Sequence, residues 1–133
     1  MEAKQIEVMQ ECARESLNGT MTFPVVVAKL AAAGVERYHA DYSRNEVTYY
    51  LADGDSAVVE TPHESAETAN LFSPKAVEAA VRRSQRGEHT YRDFVRETKA
   101  AGCVGYFVQI AGRRAIYFGR RGECHVELFP PSA

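Results

Sequence analysis

Residues 19–62 lie on residues 87–130 at a constant offset of 68, without a gap. Eleven of the 44 aligned positions are identical, among them the glycine pairs Gly19/Gly87, Gly34/Gly102 and Gly54/Gly122. A glycine kept at fixed offset marks matching backbone geometry, because it serves where φ is positive or where another segment comes close. The chain is a tandem duplication, so any fold proposed for it has to be built twice.

The order of elements within one copy follows from hydrophobic period and punctuation. Ile6, Met9, Ala13 and Leu17 have the spacing of an amphipathic helix that closes at Asn18-Gly19. Thr22 and Pro24 open a second helix, which ends at Gly34. Beyond Gly34 the period changes to two. Tyr38, Ala40 and Tyr42 alternate with Arg37, His39 and Asp41 as on a half-buried strand, and strands at 47–51 and 56–61 follow across Asp53-Gly54-Asp55. The second copy repeats the order, with Ser73-Pro74 and a Thr90/Asp93 capping pair opening its helices and strands at 104–110, 113–118 and 123–129.

The pattern predicts an α+β fold: two ααβββ units with antiparallel three-stranded meanders, packed around a pseudo-twofold axis as one domain over 1–133. The repeats span 1–62 and 70–130, joined by a connector at 63–69. Either half alone would leave an apolar sheet face exposed, so neither is expected to fold by itself.

Charge and cysteine content narrow the setting. Residues 1–66 hold 5 Lys/Arg against 11 Asp/Glu, whereas residues 67–133 hold 11 against 7, so copies of one unit carry −6 and +4. Complementary surfaces of this kind suit docking of the halves to each other. The N-terminal stretch is charged and no apolar run reaches the roughly 18 residues of a membrane helix, so neither a signal peptide nor membrane association is expected. Cys12, Cys103 and Cys124 are odd in number and lack CxxC spacing, which points to reduced thiols in a cytoplasmic protein without bound cofactor.

Comparing the copies separates scaffold from candidate function. The aromatic pairs Phe23/Tyr91, Tyr38/Tyr106, Tyr49/Tyr117 and Tyr50/Phe118 keep their type and read as packing. His39 and Asp41 face Phe107 and Gln109 in the other copy, while His125 and Glu127 face Ala57 and Val59. Residues two apart on a strand project to one side about 6.5–7 Å apart, so each His-x-carboxylate pair could meet one ligand, serve as acid and base, or contribute to a metal site through His39 or His125. Arg113 and Arg114 could grip phosphates beside Tyr117 and Phe118, but the acidic net charge argues against nucleic acid. No GxSxG elbow, phosphate loop or HExxH is present.

The strings AAGVERYHADY, VTYYLADGD and AAGCVGYFVQIAGRRAIYFGRRGECHVELFP resemble the YbcV/YdfO-like family of short bacterial and prophage-associated proteins, often labelled "phage envelope protein". The resemblance covers nearly the whole chain. It implies a small α+β protein without an assigned reaction, and carries over no catalytic residue. The resulting expectation is a non-enzymatic binding or regulatory module with a cleft between repeats, its partner a small molecule or a protein, a second copy included. The alternatives are a metal-assisted or acid-base enzyme and a weak nucleic-acid binder.

Overall fold

A computed structural model describes residues 1–63 and 66–130. In the first copy α1 (Ala3–Asn18) and α2 (Phe23–Ala32) precede β1 (Val35–Asp41), β2 (Glu46–Leu51) and β3 (Ser56–Glu60). In the second, α3 (Pro74–Gln85) and α4 (Tyr91–Ala100) precede β4 (Cys103–Gln109), β5 (Arg114–Gly119) and β6 (Cys124–Leu128).

Local chemistry accounts for these boundaries. Helix α1 buries Met9, Cys12, Ala13 and Leu17, then stops where Gly19 takes φ 74. The valines of α2 have poor helix propensity, yet Pro24 starts the turn and burial of Val26 and Leu30 holds it against the sheet. Thr90 and Asp93 form the expected capping box on α4, whereas the Thr22 side chain makes no such bond.

The six strands form one antiparallel sheet in the order β3-β2-β1-β4-β5-β6. The two meanders join edge to edge through β1 and β4, where His39 pairs with Phe107. These residues are 68 apart, so the pseudo-twofold axis passes between them. Both copies carry the same irregularity, at Val35/Arg37 and at Cys103/Gly105. Asn45 and Arg113, equivalent but unlike, share the left-handed φ of 53. The repeat is therefore held in the backbone even where the side chain has changed.

All four helices lie on one face of the sheet. Tyr38, Ala40, Val47, Tyr49, Tyr106, Val108, Ala115 and Tyr117 point from the strands into that layer, and Met9, Leu30, Val77 and Val95 meet them from the helices. The opposite face carries Thr48, Tyr50, Phe107, Ile116 and Phe118, all only half-buried. Of the connector expected at 63–69, residues 64 and 65 lie outside the described residues. Its far end is pinned to α4 by Ala69 N donating to Lys99 O at 3.0 Å.

Candidate functional site

The sheet places the two His-x-carboxylate pairs on opposite faces. His39 and Asp41 sit at its centre on the face without helices, and His39 stacks on Phe107 with ring centroids 4.4 Å apart at 15°. Asp41 Oδ1 accepts from the backbone N–H groups of Ser43 and Arg44 at 3.1 and 3.3 Å, which makes it the anchor of the β1–β2 turn. His125 and Glu127 lie on the helix side of edge strand β6, opposite Tyr117 and Ala115. Three strand spacings of about 4.8 Å separate β1 from β6, so His39 and His125 do not converge.

The arginines are also divided. Arg113 occupies the left-handed turn, donates to Pro130 O at 3.2 Å and lies over the Phe129 ring. Arg114 is exposed at the start of β5, where its Nε donates to Gly112 O at 3.2 Å. Neither reaches a histidine pair, and no phosphate grip is assembled from both.

The main concavity lies elsewhere, between the helical layer and the sheet. It encloses about 340 Å³ and is lined by both copies, with eleven of its wall positions occurring as pairs 68 residues apart. Tyr38/Tyr106, Tyr49/Tyr117, Phe23/Tyr91, Thr22/Thr90 and Met21/His89 are among them. A cavity walled by equivalent pairs straddles the pseudo-twofold axis. Three of the four duplicated aromatic pairs thus wall this concavity as well as packing, while Tyr50/Phe118 lie on the helix-free face.

Burial shapes the chemistry of these walls. It pushes the hydroxyls of Tyr38, Tyr49, Tyr106 and Tyr117 well above the ordinary tyrosine range, and Tyr91 up to about 12 against the opposing hydrogen bond from Tyr106. All five stay protonated at neutral pH. Tyr106 donates to Tyr91 Oη at 2.9 Å, which leaves the Tyr91 proton free of that contact. Among the described residues, none hydrogen-bonds the hydroxyls of Tyr38, Tyr49 or Tyr117.

His89 and Glu127 add polarity from the second copy alone. The His89 side chain is 2% exposed, and its Nε2 lies 2.9 Å from Glu97 Oε2. The two atoms are out of line for a hydrogen bond, so both, together with His89 Nδ1, have no hydrogen-bond partner among the described residues. Glu127, by contrast, is saturated: Oε1 meets His125 Nε2 at 2.8 Å and Oε2 accepts from Arg82 Nη1 at 2.8 Å.

The family described as "Protein of unknown function (DUF1398)" matches residues 1–61 and again residues 57–127. The chain belongs to this family. No curated protein matches it. The family description names no reaction, ligand or partner, so what the site does has to be argued from its geometry.

One further cluster could hold a cation. Glu78, His125 and Glu127 bring ligand atoms within 4.8 Å of one another. Arg82 already sits among them, bonded to Glu127 and 3.5 Å from Glu78 Oε1. Its guanidinium compensates both carboxylates, and a metal would have to displace it.

Sequence comparison missed His89, although its signal was available, because Met21 stands at the equivalent position. The comparison weighed strand faces, and His89 lies in the segment leading into α4. Glu127 was legible as half of the His125–Glu127 pair, though not as a wall of this concavity.

Proposed function

We propose that this protein is a non-enzymatic binding module whose ligand is a small molecule held in the cavity on the pseudo-twofold axis. The observation that carries this reading is a concavity of about 340 Å³ walled by equivalent residues of both copies, with His89 and Glu127 of the second copy standing where the first has Met21 and Val59. Its size falls at the lower end of ligand sites, and its composition, apolar walls with few polar groups, is that of a small-molecule pocket. Unpaired tyrosine hydroxyls supply donors inside a low-dielectric space, where each hydrogen bond made to a ligand is worth more than in water.

The setting proposed is cytoplasmic, supported by three free cysteines of which Cys12 and Cys103 are buried, and among the described residues no helix is long and apolar enough to cross a membrane. The prophage-associated YbcV/YdfO-like proteins are the proposed kin. The test is a thermal-shift screen of small aromatic and alicyclic compounds against the wild type and Ala13→Leu, a variant that fills the wall between α1 and the sheet. Hits that lose their effect in Ala13→Leu support the reading. An absence of hits, or hits indifferent to the variant, removes it.

A second reading, a metal-assisted enzyme, is favoured by the Glu78–His125–Glu127 cluster alone. Equilibrium dialysis of untagged protein against zinc separates the two, because one bound ion lost in His125→Ala would support the metal site. Nucleic-acid binding has less to stand on, since Asp41, Glu46 and Glu60 share the helix-free face with Arg114.

A further inference from the structure

Among the described residues the cavity walls hold a single one of fixed formal charge, Glu127, and both of its oxygens are occupied by His125 and Arg82. Arg83, behind His89, is likewise taken by Glu97. An anion entering the cavity would be stripped of water and would face a carboxylate with no free cation in the wall. Burial of such an unpaired charge is strongly unfavourable. A cation would gain Glu127 only by displacing Arg82, which leaves that arginine uncompensated. An uncharged ligand meets neither penalty.

The aromatic walls constrain its shape. Tyr38 and Tyr49 pack at 5.5 Å between centroids, Tyr106 and Tyr117 at 5.3 Å, both tilted by about 40°. These pairs present ring faces and edges to the space, an environment suited to another ring. The polar demand is local. His89 brings two ring nitrogens without hydrogen-bond partners on a side chain 2% exposed, and Met21 offers nothing similar in the first copy. Even with Nε2 turned to meet Glu97, Nδ1 still lacks a partner, a situation that buried polar groups rarely tolerate unless something else completes them.

We infer that the cavity takes an uncharged aromatic molecule carrying one hydrogen-bonding group, which is completed by His89 once its ring turns Nδ1 from its buried position toward the cavity. This rests on the binding reading given above and specifies the ligand for that same site. Because the two copies differ at this position, the ligand is held in one orientation despite the pseudo-symmetry of the walls.

Two related dyes test the charge. N-phenyl-1-naphthylamine and 8-anilino-1-naphthalenesulfonate share one ring system and differ by the sulfonate. Fluorescence titration of the folded protein is expected to give binding of the neutral dye, with the sulfonate weaker by about tenfold or more. Both signals are read again in Ala13→Leu and in Ala115→Val, which copies Val47 of the first repeat; circular dichroism confirms that each variant is folded. Equal affinity for the two dyes, with both lost on filling the cavity, overturns the neutral-ligand inference and leaves the binding reading standing. Failure of both dyes to bind, or binding that ignores both filling variants, overturns the binding reading and the inference with it; binding of the sulfonate alone overturns the neutral-ligand inference.

His89 is tested with 1-naphthol and naphthalene. His89→Met, which copies Met21, is expected to weaken 1-naphthol about 3- to 10-fold and to leave naphthalene unchanged. An equal effect on both compounds, or none on either, overturns the role of His89.

Discussion

Raising the pH through 10 is expected to unfold this protein by way of its tyrosines. Six of the seven, Tyr38, Tyr42, Tyr49, Tyr91, Tyr106 and Tyr117, are held protonated in the fold by burial. In the unfolded chain each returns to a pKa of about 10. Above that value the folded state binds more protons than the unfolded one, so stability falls as pH rises. At pH 11 one such group removes about 1.4 kcal/mol, and six remove about 8. The Cys103 thiol, pushed up to about 11 by burial, acts in the same direction from about pH 8.5. Lys99, lowered by desolvation, acts against them, but it is a single group.

A domain of this size has a stability of roughly 5–15 kcal/mol, so the tyrosines alone exhaust it within one to two pH units above 10. Tyrosinate absorbance at 295 nm and far-UV circular dichroism, followed together up to about pH 12, are expected to change in one cooperative step between about pH 10.5 and 11.5. The contrary result is a gradual rise in absorbance centred near pH 10 with the dichroism intact. That would mean the hydroxyls already contact bulk water, and the low-dielectric cavity would have to be abandoned.

Other perturbations read single contacts. Thr98 Oγ1 donates to Phe94 O, so Tyr42 must donate to Thr98 at 2.8 Å; Tyr42→Phe is expected to cost about 1 kcal/mol, or about 4 °C in Tm. Tyr49→Phe, lacking such a partner, should leave urea stability within about 0.5 kcal/mol of wild type, and an equal loss for both variants would contradict the assignment. Gly34 and Gly102 share a φ of 89 and 88, but a Cβ at 102 would run into Leu71 O and lie 2.8 Å from Phe72 Cα, whereas at 34 it meets only Gln5 Nε2 at 3.5 Å. Gly34→Ala is expected to cost about 1–2 kcal/mol and Gly102→Ala at least 1–3 more in urea unfolding, and parity would refute the close packing of 71–72. The helix-free face sets Asp41, Glu46 and Glu60 of one half apart from Arg114, Val126 and exposed Leu128 of the other, so two copies can stack sheet to sheet with the halves crossed. Sedimentation velocity should detect a dimer that salt and Leu128→Glu both weaken; a monomer at every accessible concentration would refute it.

Much of the backbone was readable because glycine and the offset report conformation directly. Gly19/Gly87, Gly34/Gly102 and Gly54/Gly122 all take positive φ, as their repetition implied. The offset could not say which strand edges meet, since equivalence between copies carries no information about contact. The pairing of β1 with β4 depends on a register found only in three dimensions. The candidate site was read less well for a related reason. Alternation along β1 and β6 correctly placed side chains two apart on one face, but the sign of that face relative to the helices is set by the whole sheet. His39 therefore turned outward against Phe107, and Glu127 turned inward against Ala115.

The duplication also explains why a cavity stands where a core would be. Around a pseudo-twofold axis, a side chain on the axis is met by its own equivalent, as His39 is by Phe107 on the helix-free face. Two large rings can pack together, as Tyr106 does with Tyr42 at 6.0 Å, but a pair of equivalent residues cannot interlock as a large residue does with a small one. Where both members are small, as at Ser16/Ser84, space is left twice. Divergence after duplication can close such space or equip it. Substitution of Met by His at 89 and of Val by Glu at 127 does the second, because each adds a buried polar group at a position the first copy shows to be satisfied by an apolar one. In a cavity whose only purpose was packing, the unpartnered His89 nitrogens would reduce stability without return, whereas Glu127 is compensated by Arg82 and His125.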